Sequence, residues 1–228
     1  MKIGRKLLIL ALLVILVNQF NVYATLSYAI DLTPTGATVG DANLNILGLP
    51  FNNTCSSPIS DDNGRWNYIS IPVNLEEPGV SDALWSIDGD YDWVFTYDSA
   101  DGNFDYYLAS FNSGTISEIT PGSCYIIKAT NNNTLTWTGN DQVTDLTYTI
   151  TDANGRWNYV GWVNHSQNIR DAFSSISDGY DWVFRYNPTE GAFDYYLASF
   201  DSGTLEQAEP CGCYIVKATC GGTIDYRE

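Results

Sequence analysis

Histidine is nearly absent from this chain, which has His165 as its single histidine among 228 residues. Serine and cysteine nucleophiles are usually activated by a histidine, so a site of that kind would depend on His165 alone. His165 lies in a polar segment with no evident partner, and we expect an exposed loop residue there. The sequence therefore gives no support to nucleophilic catalysis.

Basic residues are also scarce, with 10 Lys+Arg against 27 Asp+Glu and a formal net charge of −17. A surface this negative repels the phosphates of nucleic acids and anionic lipid head groups. Nucleic acids are therefore excluded as partners.

Long apolar runs are missing as well. The longest covers residues 7–17, whereas a helix needs ~20 residues to cross a bilayer. This run follows a basic start and precedes Val22-Tyr23-Ala24, which is typical of a signal peptide over residues 1–24, with the mature chain beginning at Thr25. A second possible cleavage position follows Ala29, and an uncleaved anchor is the alternative. The expected location is secreted or cell surface, with no membrane span in the mature chain.

An internal repeat organises the rest of the sequence. Asn-Gly-Arg-Trp-Asn-Tyr occurs at 63–68 and at 154–159, an offset of 91. Tyr-Asp-Trp-Val-Phe at 91–95 recurs at 180–184, and Phe-Asp-Tyr-Tyr-Leu-Ala-Ser-Phe at 104–111 recurs at 193–200, both at an offset of 89. Such matches indicate a duplicated module. We expect an N-terminal segment over 25–57 with a possible degenerate repeat strand, a first copy over 58–140 and a second over 141–228.

The patterns within each copy predict a mainly β fold. Asn63-Gly64 and Asn154-Gly155 are typical of two-residue hairpin turns, and a further hairpin is predicted across residues 123–137. Residues 80–87 and 169–176 are the segments that favour a short helix. The prediction is two tandem small antiparallel β modules, sandwich-like or barrel-like, each with one short helix.

Aromatic residues are abundant, with 7 Trp, 16 Tyr and 9 Phe. Tyr91, Trp93, Phe95 and Tyr97 alternate with other residues, which places them on one face of a strand. We interpret this stripe as the module core, and a sugar-binding face is the alternative. Three tryptophans have no Trp counterpart in the other copy and are candidates for exposed ligand contacts: Trp85, Trp137 and Trp162.

A family resemblance appears in three segments of the first copy. These are Trp-Asn-Tyr-Ile-Ser-Ile-Pro at 66–72, Tyr-Asp-Trp-Val-Phe-Thr-Tyr-Asp at 91–98 and Pro-Gly-Ser-Cys-Tyr-Ile-Ile at 121–127. They resemble a tandem β-repeat module of prokaryotic exported surface proteins, which reads Trp-Asn-x-Ile-Ser-x-Pro, then Tyr-Asp, then Pro-Gly-x-x-Tyr. The second copy departs from it, because residues 160–163 lack the proline and Cys211 replaces the glycine. The resemblance implies a cell-surface or secreted setting and no chemistry.

Acidic residues beside glycines could bind calcium, which prefers carboxylate and carbonyl oxygens. The EF-hand spacing and the distal Glu are missing, and solvated turns are the alternative reading. No other cofactor is expected. The weak calcium candidates form two groups in the first copy: Asp88, Asp90 and Asp92, then Asp98, Asp101 and Asp105.

Five cysteines in an exported chain predict disulfides rather than a metal site. Cys124 and Cys213 hold equivalent strand positions, so we expect each to face its own module's interior and not to pair with the other. Cys213 is expected free and buried, with at most two bridges among four candidates: Cys55, Cys124, Cys211 and Cys220. Glycosylation sequons begin at Asn52, Asn132 and Asn164.

These observations predict an exported, acidic, non-enzymatic β-repeat protein with a structural or adhesive role at or near the cell surface. Its expected partners are cell-surface proteins or glycans. The alternative is a carbohydrate-binding module that uses exposed aromatics. A carboxylate-based hydrolase is a third and weaker hypothesis, because duplicated acids argue against a single active site.

Overall fold

Short strands dominate the computed structural model, which describes residues 53–143 and 146–226. The expected signal peptide and Asn52 lie outside the described residues. The first copy contains the following elements in chain order: β1 (Asn53–Ile59), β2 (Trp66–Ser70), β3 (Val73–Leu75), α1 (Val80–Ala83), β4 (Tyr91–Asp98), β5 (Asn103–Leu108), β6 (Ser113–Gly114), β7 (Cys124–Ala129) and β8 (Asn133–Gln142).

The second copy repeats this order with small differences. Its elements are β9 (Thr147–Ile150), β10 (Trp157–Gly161), β11 (Gln167–Asn168), α2 (Ile169–Ala172), β12 (Tyr180–Asn187), β13 (Ala192–Leu197), β14 (Ser202–Gly203), β15 (Gln207–Ala208), β16 (Cys213–Ala218) and β17 (Gly222–Asp225).

Each copy is built around a five-stranded antiparallel sheet. The strand order is β2-β7-β4-β5-β6 in the first copy and β10-β16-β12-β13-β14 in the second, so the two sheets have the same topology. Smaller sheets add β1-β8-β3, β17-β9 and β11-β15. The predicted mainly β fold, made of small antiparallel sheets, is confirmed.

The short helices form where the sequence predicts them. Val80, Ala83, Leu84 and Ile87 recur at helical spacing and all four are buried. The chain follows this pattern as one α turn, α1, and then a 3₁₀ turn at Trp85–Ile87. In the second copy, α2 and a 3₁₀ turn at Ser174–Ile176 repeat the arrangement. Among the described residues, no helix has the length and apolar character needed to cross a bilayer.

The copies have separate hydrophobic cores. One cluster of buried residues lies within residues 59–137 and the other within residues 150–226. Both belong to a single compact unit, Leu49–Glu228. The boundary between residues 140 and 141 stays a prediction.

None of the three predicted hairpins is formed, although the Asn-Gly residues of both copies adopt the expected backbone. Asn63 and Gly64 have φ of 48° and 84°, as Asn-Gly turns require. However, β1 pairs with β8 whereas β2 pairs with β7, so this turn connects two sheets. In the second copy β9 pairs with β17 and β10 pairs with β16. Strands β7 and β8 also belong to different sheets. A turn signal fixes local dihedral angles, and it does not fix which strands pair.

A buried asparagine holds these two sheets together in each copy. Asn67 accepts a hydrogen bond from the Ser60 amide at 2.8 Å and donates to the Ser60 carbonyl at 2.9 Å. Asn158 makes the same pair of bonds with Thr151, both at 2.9 Å. Because a buried amide side chain needs such partners, this residue accounts for the repeated asparagine after Arg-Trp.

The disulfide prediction is wrong for Cys213, which was expected free, for Cys220, which was a candidate for pairing, and for the partner of Cys124. Cys124 and Cys213 are bonded to each other, with their Cα atoms 5.1 Å apart. Cys211 is also disulfide-bonded, and Cys220 is free and exposed. The side chain of Cys55 lies outside the described residues. The error came from assigning Cys124 and Cys213 to separate interiors, whereas both face the boundary between the copies.

Candidate functional site

A β-bulge decides which face of β4 carries the aromatic stripe. Pairing between β4 and β7 shifts register between Tyr91 and Trp93, which moves Tyr91 to the buried face beside Val94. Trp93, Phe95 and Tyr97 lie on the opposite face, are only partly buried and do not belong to the core cluster. The interpretation of the whole stripe as core is therefore wrong, because one extra residue inverts the alternation.

The outward residues form a connected aromatic surface in the first copy. Trp93 and Phe95 are stacked, with ring centroids 5.4 Å apart, and Tyr106 and Phe104 pack beside them from β5. Trp66 completes the set 6.0 Å from Phe95. Three of these five rings are exposed: Trp66, Phe104 and Tyr106. We call this set aromatic surface 1.

Aromatic surface 2 repeats this geometry in the second copy. Trp182 and Phe184 stack at 5.4 Å, the same distance as in the first copy, and Trp157 lies 6.2 Å from Phe184. Phe193 and Tyr195 complete the set from β13. Aromatic pairs of this geometry stabilise one another beyond the area they bury. The duplication has therefore kept a partly exposed arrangement of five rings.

Each aromatic surface has a charged edge. Lys128 Nζ lies 5.6 Å from the Trp66 ring centroid, and Lys217 Nζ lies 5.3 Å from that of Trp157. These distances are those of cation–π contacts. The surfaces thus offer apolar rings next to hydrogen-bond donors.

Tyrosines continue the aromatic surfaces into the boundary between the copies. Tyr68 of the first copy packs on Tyr186 at 5.1 Å, and Tyr159 of the second copy packs on Tyr97 at 4.9 Å. Burial, with smaller contributions from Tyr68 and Tyr97, raises the pKa of Tyr159 to about 12. Burial similarly raises the pKa of Tyr68. These four tyrosines form an aromatic layer that both copies share.

The hydrogen bonds across this boundary are reciprocal. Asn63 donates to the carbonyl of Pro188 at 2.6 Å, and the equivalent Asn154 donates to that of Ser99 at 3.1 Å. Reciprocal contacts of this kind are the signature of a twofold relation. Two backbone hydrogen bonds show the same reciprocity. Ser70 N donates to Cys211 O and Gly161 N donates to Gly122 O, both at 2.9 Å.

Two phenylalanines project from equivalent turns. Phe111 and Phe200 are each 75% exposed, at the end of 3₁₀ turns that follow β5 and β13. Each turn is stabilised by a hydrogen bond from a buried tyrosine. The Tyr107 hydroxyl donates to Asn112, and the Tyr196 hydroxyl donates to Asp201. We call Phe111 and Phe200 the phenylalanine tips. Neither residue was among the predicted contacts, although their repetition in Ala-Ser-Phe, followed by a polar residue and Ser-Gly, was a usable signal in the sequence.

The unpaired tryptophans have different environments. Trp85 is 70% exposed, as predicted. Trp137 and Trp162 are each 1% exposed and lie in the cores of copies one and two, so the expectation of exposed contacts is wrong for both. Trp137 fills the first core and Trp162 fills the second. This is the role that the sequence had assigned to the aromatic stripe of β4.

The acidic calcium candidates lie at the two ends of β4. Asp90 accepts hydrogen bonds from Asn131 and Asn133, and Asp92 pairs with Arg65 at 2.6 Å. Asp98 caps its own turn by accepting from the Ala100 amide at 2.8 Å. Asp88 and Asp101 are exposed, and Asp105 is half-buried. Within the described ranges no three acidic, histidine or cysteine side chains lie together so as to hold a metal ion. Calcium binding stays a prediction.

The two described sequons differ in access. Asn132 is exposed, and its Oδ1 accepts from the Asp61 amide at 3.0 Å. Asn164 is half-buried, and its Nδ2 donates to the Tyr226 carbonyl at 3.1 Å. Glycosylation at Asn164 would have to break this bond, whereas Asn132 leaves its Nδ2 available for attachment. Glycosylation stays a prediction at both positions.

His165 lies at a cavity of about 220 Å³ that Asp171, Ser174 and Ser175 also line. Its Nδ1 is 2.9 Å from Oδ1 of Asn164. The hydrogen bonds described for the imidazole include none to a serine or a carboxylate, which a Ser-His-Asp site would need.

No protein-family model, curated protein sequence or solved structure matches this chain.

Proposed function

We propose that this chain is an exported, non-enzymatic β-repeat protein that makes structural or adhesive contacts at or near the cell surface. The observation that carries the proposal is the pair of phenylalanine tips, each 75% exposed at equivalent positions of the two copies. Aromatic side chains, phenylalanine included, are enriched at protein–protein interfaces, and the duplication has kept one at the same exposed turn of each copy. The expected partners are proteins or glycans of a cell surface.

The rigid turns that carry the phenylalanine tips support a binding role. Asn112 and Asp201 adopt φ of 46° and 47°, and short β6 and β14 strands pair directly behind them. A Cβ on Gly114 would lie 2.0 Å from the Tyr106 carbonyl oxygen, so this turn requires glycine. A side chain held by a rigid turn loses little conformational entropy when it binds, which favours affinity.

The proposal is tested by titrating the mature protein against purified envelopes of the source cells. We expect saturable binding that F111S or F200S each weakens about tenfold, with a larger loss in the double variant if both tips engage. The tips belong to neither core, so these variants should fold, which circular dichroism would check.

The matched control is W85S, because Trp85 is also exposed but has Ser174 in the equivalent position. W85S should bind like the unchanged protein. Equal binding by the double tip variant and the unchanged protein would contradict the proposal.

Carbohydrate binding is the second candidate, favoured by the exposed rings of Trp66, Phe104 and Tyr106 next to Lys128. Sugar rings place their apolar faces on such aromatics and use the polar edge for hydrogen bonds. A glycan array would test it, with W66S/W157S as the variant. Loss of a glycan signal in that variant, with F111S/F200S unaffected, would favour this function over the first.

A further inference from the structure

A cavity of about 230 Å³ lies where the two copies meet. The first copy contributes Ser57 and Tyr68 to its wall, and the second contributes Arg185, Tyr186 and Pro188. The rings of Tyr68 and Tyr186 pack against each other at 5.1 Å along one side. The cavity therefore has aromatic and polar walls drawn from both copies.

The position related to this cavity by the internal twofold is filled. Ser57 corresponds to Tyr148 in the second copy, because each lies two residues before the equivalent core residues Ile59 and Ile150. Tyr148 hydrogen-bonds with Ser99, and its burial raises the pKa of its hydroxyl. Ser99 in turn is the counterpart of Pro188, which lines the cavity.

A second comparison limits the extent of the cavity. A Cβ on Gly122 would lie 2.0 Å from Leu146 Cδ2, so Leu146 packs directly on this glycine. The counterpart of Gly122 is Cys211, which lines the cavity and is disulfide-bonded. The space that is filled in one half of the molecule and open in the other is therefore the one that Tyr148 occupies, beside Ser57 in the cavity.

We infer that the cavity is a binding site for a single phenolic ring of the size of a tyrosine side chain. The fold itself places the phenol of Tyr148 in the twofold-related position, on the side of the molecule where Tyr97 packs on Tyr159 as Tyr186 packs on Tyr68 beside the cavity. An apolar cavity of ~150 Å³ accommodates benzene, so the volume suffices.

Arg185 supplies a hydrogen-bond donor for the hydroxyl oxygen of the bound phenol. It stands where the first copy has Thr96, and its Nη1 donates to Glu209 at 2.6 Å. A guanidinium carries five N–H donors, so this bond leaves others for a phenolic oxygen. That oxygen needs such a partner because Pro188 has no hydroxyl to replace Ser99.

The test uses p-cresol, the side-chain analogue of tyrosine, titrated into the mature protein and followed by amide chemical shifts in NMR. A ligand this small should bind one site with a Kd on the order of 1 mM. Shifts should concentrate on residues 57, 68 and 185–188. The absence of saturable shifts at these residues would overturn the inference.

Two variants exploit the internal symmetry. S57Y places the missing ring in the cavity and should weaken p-cresol binding at least tenfold, while S57T should leave it unchanged. Y148S opens the related space and should raise the number of sites from one to two, a readout that remains if S57Y fails to fold. Unchanged p-cresol binding in folded S57Y would overturn the inference.

The source of the ring is resolved by a second probe, N-acetyltyrosinamide, which carries backbone groups. Equal or tighter binding of this probe would support a tyrosine side chain of a partner protein. Binding of p-cresol alone would support a free phenolic compound.

Discussion

At the scale of single residues, Trp137 and Trp162 are equally buried but differ in the hydrogen bonding of the indole nitrogen. Each is 1% exposed and fills the core of its copy. The indole Nε1 of Trp162 donates to the His165 carbonyl at 3.1 Å, whereas that of Trp137 has no hydrogen-bond partner in the described structure. An unsatisfied buried donor costs ~1–3 kcal/mol, so Trp137 carries a penalty that Trp162 avoids.

This difference predicts the outcome of replacing each tryptophan by phenylalanine. Both W137F and W162F remove similar core volume, but only W162F removes a hydrogen bond and only W137F removes the unpaired donor. We expect W162F to lower the free energy of unfolding by about 1 kcal/mol more than W137F does. Urea denaturation of the two variants would measure this, and a larger loss in W137F would contradict it.

At the scale of elements, the sequence predicted what depends on neighbouring residues and missed what depends on distant ones. The helical spacing of Val80, Ala83, Leu84 and Ile87 placed α1 correctly, because each turn buries its own apolar side. The bulge before Trp93 was not predictable, since it arises from register against β7, and it moved most of the aromatic stripe out of the core. The aromatic surfaces were therefore anticipated only as an alternative.

The junction of sheets within a copy depends on the buried amide of Asn67, which predicts a severe effect of N67D. The carboxylate would replace Nδ2 by an oxygen that faces the carbonyls of Ser60 and Arg65. We expect N67D to lower the free energy of unfolding by about 3 kcal/mol at neutral pH, and by less in acid, where the protonated carboxyl regains a donor. Denaturation at both pH values would measure it.

The control for N67D is N132D, because Asn132 is exposed and uses only its Oδ1, which aspartate retains. N132D should change stability little, whereas N158D should behave like N67D, since Asn158 makes the same bonds. Equal stabilities of N67D and N132D would show that the buried amide does not hold the sheets together.

At the scale of the whole molecule, the two copies are related as the halves of a symmetric dimer are. Tyr68 meets Tyr186 as Tyr159 meets Tyr97, and Asn63 and Asn154 make matching bonds. Cys124 and Cys213 are equivalent residues, and the bond between them places both at the twofold axis that these reciprocal contacts define. The cysteine pairing therefore could not be predicted from the repeat alone, because the repeat offset carries no information on how the copies are placed.

The disulfide at this axis predicts how the copies are held together. Cys124 and Cys213 are separated by 89 residues, and opening a loop of this length should lower the free energy of unfolding by about 2–4 kcal/mol. The variant C124S/C213S should show this loss in denaturant unfolding, yet stay folded, because each copy keeps its own core and the tyrosine contacts remain. C220S is the matched control, since Cys220 is free and exposed, and it should leave stability unchanged. If C124S/C213S proved as stable as C220S, the tyrosine layer and the reciprocal asparagines would hold the copies without the disulfide.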